Sequence, residues 1–277
     1  MNLMKIRVAT YNIHKGVSAI RGLPRVHALK QAIALFDAEV VCLQEVQGRH
    51  DRNAAQFGLE SQGQKNWPQA AQHEFFAGES HHSAYGMNAV YDHGHHGNAL
   101  LSSYPIASMF NLDVSDHAYE QRGILHCVLK TLVGDVHCYV VHLGLFEAGR
   151  GRQADALIDA VLTSAPSAAR VIIAGDFNDW RNQLGARLRD KLGVVEVFDH
   201  IKSGMGLGDM LRTLARRKAL LNPLLSPART FPAALPWFRL DRIYVRGFSV
   251  ESAQVLHGTV WGKLSDHAPI VATLKFE

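Results

Sequence analysis

The chain has 277 residues, 47% of them hydrophobic, enough for one substantial core and too few for several domains. Its 29 Lys+Arg against 25 Asp+Glu leave a formal charge of +4, scattered along the chain, which suits a polyanionic partner without supplying a dedicated basic tail. No uncharged apolar stretch approaches the ~20 residues that span a bilayer, and the start lacks the apolar run of a signal peptide, so the expectation is a soluble, cytoplasmic monomer.

In chain order, Ile6 to Tyr11 reads as a first strand. Pro24 to Asp37 follows with Val26, Leu29, Ile33 and Phe36 on one helical face, a stripe that marks a helix packed on a sheet. Val40 to Leu43 is the next strand, and Gln47 to Ser83 is irregular, a surface insertion near a cleft. Asn98 to Ser102, Ile124 to Lys130 and Val136 to Val141 are further strands, the last two joined hairpin-like across Val133-Gly134. Ala154, Leu157, Ile158, Val161 and Leu162 form a second helical stripe. Val171 to Ala174, Ile243 to Val245 and Ile270 to Leu274 are strands, with a second irregular insertion over Met205 to Arg229. This mixture predicts helices covering the outer faces of two sheets in one domain over 1–277. Cys42, Cys127 and Cys138 sit in apolar strands and read as three reduced core thiols.

Four apolar strands end in polar clusters: Tyr11-Asn12-Ile13-His14, Gln44-Glu45-Val46, His142-Leu143-Gly144 and Gly175-Asp176-Phe177-Asn178. A fifth cluster, Ser265-Asp266-His267-Ala268-Pro269, precedes the final strand. Any one cluster is an ordinary strand cap, but the repetition points to one functional rim. There, Glu45, Asp176 and Asp266 would crowd three carboxylates, which is unfavourable unless a cation offsets them. Carboxylate and amide oxygens are hard ligands that suit Mg²⁺ or Mn²⁺, and neither an HExxH nor a paired CxxC argues for zinc.

With Leu240-Asp241-Arg242-Ile243 between them, these motifs stand in the order of the endonuclease/exonuclease/phosphatase superfamily, which the chain resembles from Thr10 to Pro269. The resemblance implies a four-layer α-β-β-α sandwich of two mixed sheets flanked by helices. It implies Mg²⁺ held chiefly by Glu45, with Asn12 and Asp266 nearby, and Asp176 with Asn178 orienting and activating the attacking water. His267 would sit against the scissile phosphate, with Asp241 accepting a hydrogen bond from its far ring nitrogen; a salt bridge from Asp241 to Arg242 is the bland alternative. His142 falls where deoxyribonucleases and sphingomyelinases carry a second active-site histidine, a position suited to a general acid. Arg122 matches the family's phosphate-contacting arginine, a surface ion pair being the alternative. His14 departs from the family, whose apurinic-site endonucleases have an aspartate there, and this leaves the number of metals open.

The expected function is Mg²⁺-dependent phosphoester hydrolysis, foremost a phosphodiesterase or nuclease acting by in-line attack of an activated water. A phospholipid headgroup phosphodiesterase and a small-molecule phosphomonoesterase are the alternatives, because one fold hosts all three. A catalytically silent binding module is the reading from another class, disfavoured by the joint presence of Glu45, Asp176, Asn178, Asp266 and His267. Outside these motifs, the histidines His81, His82, His93, His95 and His96 read as solvated or substrate-facing, and Trp180 stands close enough to Asn178 to line the cleft. Leu207, Met210, Leu211 and Leu214 with Arg212, Arg216, Arg217 and Lys218 read as a helix with a solvated basic face, a form that also suits an anionic membrane or a nucleic-acid backbone.

Overall fold

Continuous apolar runs such as Val171 to Ala174 belong to strands that bury both faces, and the chain stacks two sheets of them. In spatial order, the first sheet contains Phe248–Val255 (β13), Ile270–Phe276 (β14), Lys5–Asn12 (β1), Val40–His50 (β2), Gly94–Ser102 (β6) and His82–Tyr91 (β5). The second contains Val195–Glu196 (β11), Asp241–Arg246 (β12), Arg170–Asp176 (β10), Gly134–His142 (β9), Gly123–Thr131 (β8) and Ile106–Asp113 (β7). A small hairpin pairs Glu60–Ser61 (β3) with Gln64–Lys65 (β4). Both large sheets are mixed: β1 runs parallel to β2 and β9 to β10, while β1–β14 and β10–β12 are antiparallel. This computed structural model describes residues 5–19, 22–58, 60–61, 64–65, 67–117, 119–199 and 228–277.

Side chains two residues apart share a face, so each strand feeds two cores. Ile6 and Val8 of β1 meet Cys42 and Leu100 in the layer between the sheets, against Leu125, Cys127, Val140 and Ile172 from the second sheet. Ala9 and Tyr11 point the other way, under Val26–Ala34 (α1) and Gln72–Ala77 (α3). On the opposite outer face, Val171 and Ile173 of β10 pack under Glu147–Ser164 (α4) and Leu184–Leu192 (α5). The order is therefore α-β-β-α. All three cysteines are free and buried in the central layer. No described helix is long and apolar enough to cross a membrane.

The stretch 47–83 is not irregular. It holds the end of β2, the helix Asp51–Phe57 (α2), β3, β4, α3 and the start of β5. Its elements escaped sequence reading because they are polar: α2 buries no residue, and β2 ends half-exposed. The helix α5 was legible after all, through Leu184, Leu188 and Leu192 at four-residue spacing and a left-handed Gly193 (φ 65°) at its C-cap. Most of the second insertion, with the basic amphipathic stretch from Leu207 to Lys218, lies outside the described residues.

Candidate active site

Register brings the polar clusters together. Asp176, the last residue of β10, is paired across the sheet with His142 on one side and with Asp241 on the other. In the facing sheet, Asn12 ends β1 opposite Gln44, next to Glu45. The turn His267-Ala268-Pro269 leads directly into β14, and Ser265 Oγ ties it to β1 by donating to the Asn12 carbonyl at 2.7 Å.

Close approach at this rim depends on unusual backbone. A Cβ at Gly175 would come within 1.9 Å of the Val141 carbonyl oxygen, so only glycine lets β10 meet β9 just before Asp176. Glu45 (φ 55°) and Asn178 (φ 48°) adopt left-handed conformations, as do His14 (φ 46°) and Lys15 (φ 58°). Such non-glycine conformations cost of order 1–3 kcal/mol each and persist where surrounding structure holds them. At Glu45 the strain coincides with a bulge in the β2–β6 pairing between Leu43 and Val46, which turns the carboxylate out of the strand's alternation.

Asn12 joins the two sheets. Its Nδ2 donates to Glu45 Oε1 (3.3 Å) and to Asp176 Oδ2 (3.2 Å), while its Oδ1 accepts from the His14 amide (3.1 Å). Asp176 Oδ1 accepts from the Asn178 amide (3.0 Å), and Asn178 Nδ2 donates to the Leu143 carbonyl (2.9 Å). His142 Nε2 lies 3.5 Å and His267 Nε2 3.7 Å from Asp176 Oδ2. The other ring nitrogen of His267 is 2.8 Å from Asp241 Oδ2, so Asp241 pairs with the histidine rather than with Arg242, which donates to Asn182 and to the Arg239 carbonyl.

The two histidines are electrostatic opposites. Burial alone would lower the His267 pKa, but Asp241 and Asp176, one at each nitrogen, carry it up to about 10. His267 is an imidazolium at neutral pH. His142 is held well below its ordinary value by burial and then by nearby Arg122, and is neutral. Burial pushes the Asp176 carboxyl upward, opposed by His267.

Glu45 remains ionised although it is buried: its desolvation is outweighed by His142, Lys15, His14 and His96, which bring its pKa down to about 2. Since His142 and His96 are neutral near pH 7, the charge that compensates Glu45 there comes from Lys15, with Nζ 3.5 Å from Oε2, and from His14, whose pKa its hydrogen bond to Asp266 raises. Asp266 turns to His14 instead, Oδ1 to Nδ1 3.2 Å. Arg122 donates from Nε to the Leu143 carbonyl (3.2 Å) and lies 3.6 Å from Glu120, so an ion pair does form, yet on the side of the rim that faces His142.

Two groups could receive a cation. Asp176, Asp241 and His267 offer ligand atoms within 4.8 Å of one another. There, however, both His267 nitrogens face carboxylates and the ring is protonated, so it has no lone pair to give and itself balances the charge. At Glu45, Oε2 is buried with no hydrogen-bond partner among the described residues, and a carboxylate oxygen is a hard donor. That orphaned oxygen fits Mg²⁺ or Mn²⁺ better.

Two neighbours, Lys15 and Phe231, were not singled out from sequence, and a third, His96, was read there only as solvated or substrate-facing. Lys15 reaches Glu45 through a left-handed turn that no propensity announces. His96 is placed beside this carboxylate by its pairing with Gln47, and its Nδ1 is buried without a hydrogen-bond partner. Phe231 packs on the His267 ring (centroids 5.0 Å apart) and continues through Phe238 to Trp180, which is edge-on to it at 4.8 Å and 38% exposed.

The sequence profile of the Endonuclease/Exonuclease/phosphatase family matches residues 9–267. The chain is 39% identical over 271 residues to the uncharacterised protein YbhP of Escherichia coli strain K12, covering 97% of this chain and 95% of that one. An endonuclease/exonuclease/phosphatase from Bacteroides vulgatus superposes with a TM-score of 0.70 at 16% identity, over 99% of this chain and 100% of that chain. TDP2 of D. rerio, solved with a single-strand DNA product, superposes with a TM-score of 0.66 at 18% identity, over 98% and 99% of the two chains. At those identities the structural likeness is one of fold. A profile match that leaves out only the two ends, and a relative alike over almost its whole length, have one conclusion: the chain belongs to the endonuclease/exonuclease/phosphatase family.

Proposed function

We propose that this protein is a divalent-metal-dependent phosphodiesterase in which Glu45 and Asn12, with Asp266 nearby, hold Mg²⁺ and Asp176 with Asn178 directs a water at the phosphorus. The observation that carries the reading is His267, a buried imidazolium clamped between Asp241 and Asp176, with Asp176 tied through Asn12 to Glu45, whose Oε2 has no hydrogen-bond partner among the described residues. A bound divalent ion would supply positive charge for the non-bridging oxygens and the leaving oxygen.

The chain's own groups do the rest. Asp176 is anchored on Oδ1 by the Asn178 amide, and its Oδ2, held by Asn12 between the two histidines, is the oxygen that would accept a proton from water. Asn178, pinned to the Leu143 carbonyl, holds that water's approach. His267 offers a fixed positive charge where negative charge develops on the phosphoryl oxygens, and Asp241 keeps its proton in place. Of the two histidines only His267 carries a proton to deliver; His142 donates a hydrogen bond as a neutral ring. Arg122, held by the Leu143 and Gln121 carbonyls and by Glu120, would act on the phosphate from the His142 side through its charge.

Nucleic acid is the first substrate class. The aromatic run Phe231, Phe238 and Trp180 leads from His267 to solvent and offers faces on which bases stack. TDP2, of the same fold, was solved with a single-strand DNA product. The test is turnover of single-stranded DNA, RNA and phospholipid vesicles with Mg²⁺ by wild type, Asp176→Ala and Trp180→Ala. Loss of about 10²–10⁴-fold in Asp176→Ala on every substrate supports the mechanism. A Trp180→Ala defect confined to nucleic acid supports the substrate class, and turnover of phospholipid alone overturns it.

A further inference from the structure

We propose that Lys15 is a built-in competitor of the metal: it neutralises Glu45 until a divalent cation binds, and then gives its charge to the phosphodiester. The inference rests on the assignment of Glu45 as the metal's carboxylate.

The backbone that carries Lys15 is shaped for this contact. His14, Lys15 and Gly16 are all left-handed (φ 46°, 58° and 74°), a path that side-chain-bearing residues take only under constraint. Buried Gln72 supplies the constraint, donating from Nε2 to the Lys15 carbonyl (3.0 Å) and accepting from the Gln47 amide (3.0 Å) on Oε1. A Cβ at Gly16 would stand 2.3 Å from that same Nε2. The turn is therefore tied to β2 two residues beyond Glu45, and the lysine's origin is fixed relative to the carboxylate.

The contact itself compensates charge without saturating the carboxylate. Nζ stands 3.5 Å from Oε2, the oxygen that accepts no hydrogen bond among the described residues. Without Lys15, Glu45 would be a largely enclosed anion beside Asp176, joined to it through Asn12 and offset chiefly by His14. A divalent ion on the same oxygen would repel the ammonium strongly at such distances, since like charges a few ångströms apart near a protein surface are poorly screened. The Lys15 side chain is 41% exposed, so its flexible stem can leave Glu45 without opening a cavity. Its fixed starting point keeps the released ammonium near Glu45, within reach of an anionic substrate bound beside the metal.

The experiment is a calorimetric titration of the metal-free full chain with Mn²⁺ for wild type, Lys15→Met and Lys15→Arg, followed by KM for bis-p-nitrophenyl phosphate at saturating Mn²⁺. Lys15→Met should bind Mn²⁺ about tenfold more tightly and show a KM raised roughly threefold to tenfold, while Lys15→Arg keeps both near wild type. Unchanged Mn²⁺ affinity or unchanged KM in Lys15→Met overturns the proposal. Wild type and both variants failing to bind Mn²⁺ would overturn the metal assignment at Glu45 instead. Thermal unfolding of each metal-free variant verifies that the folded protein is being titrated.

Discussion

Asp241 never needs to touch a substrate to matter, because its carboxylate decides what His267 is. The His267 pKa is raised from 6.5 to about 10, against the burial that would lower it. A histidine whose pKa is raised on folding contributes stability that is complete below the unfolded value and is lost as pH climbs through the folded one. Between pH 6.5 and about 10 the metal-free protein should therefore lose thermal stability progressively. Asp241→Asn removes one of the two carboxylates, so its melting temperature should fall less steeply over that range. The same variant should lose about 10–100-fold in turnover, the usual effect of removing a histidine's carboxylate partner. A melting profile as steep as wild type would contradict the assignment of the raised pKa to this pair.

At the scale of elements, the hairpin β8–β9 carries the opposite linkage. His126 stacks flat on Tyr139 (4.3 Å) and shares a hydrogen bond with His137 (3.1 Å), and its pKa is lowered to about 4 by burial and then by His137. A depressed histidine contributes stability above its unfolded value, lost as pH falls toward the folded one. Melting temperature should thus drop between pH 6.5 and about 4, and His126→Gln should lessen the drop. Both strands of this hairpin were legible because they alternate into two buried cores. The edge strands β5, β7 and β13 were not: β7 is largely exposed, so its residues carry no apolar period. Likewise β2 continues through Glu45 to His50 where apolar character stops at Val46, and the bulge that turns Glu45 inward depends on pairing with β6, which no local pattern records.

Across the whole molecule, the candidate rim forms where strands of two sheets end side by side, and this explains why the ordered motifs were readable while their geometry was not. Asn12, Glu45, His142, Asp176, Asn178, Asp266 and His267 were each singled out by type and by position beside a strand, and Asp241 by the family resemblance alone. The sharing of Asp176 between Asn12, His142 and His267, the turn of Asp266 toward His14, and the reach of Lys15 to Glu45 depend on register and on packing between sheets. The function proposed for this assembly is hydrolysis of a phosphodiester using a divalent metal and the His267 imidazolium. The most direct measurement is the initial rate of bis-p-nitrophenyl phosphate hydrolysis with Mg²⁺ and with a chelator, against p-nitrophenyl phosphate, for wild type and His267→Ala. The account predicts diester turnover that needs Mg²⁺, exceeds monoester turnover and falls by about 10²–10³-fold in His267→Ala. Diester turnover that survives either the chelator or the His267→Ala substitution would contradict it.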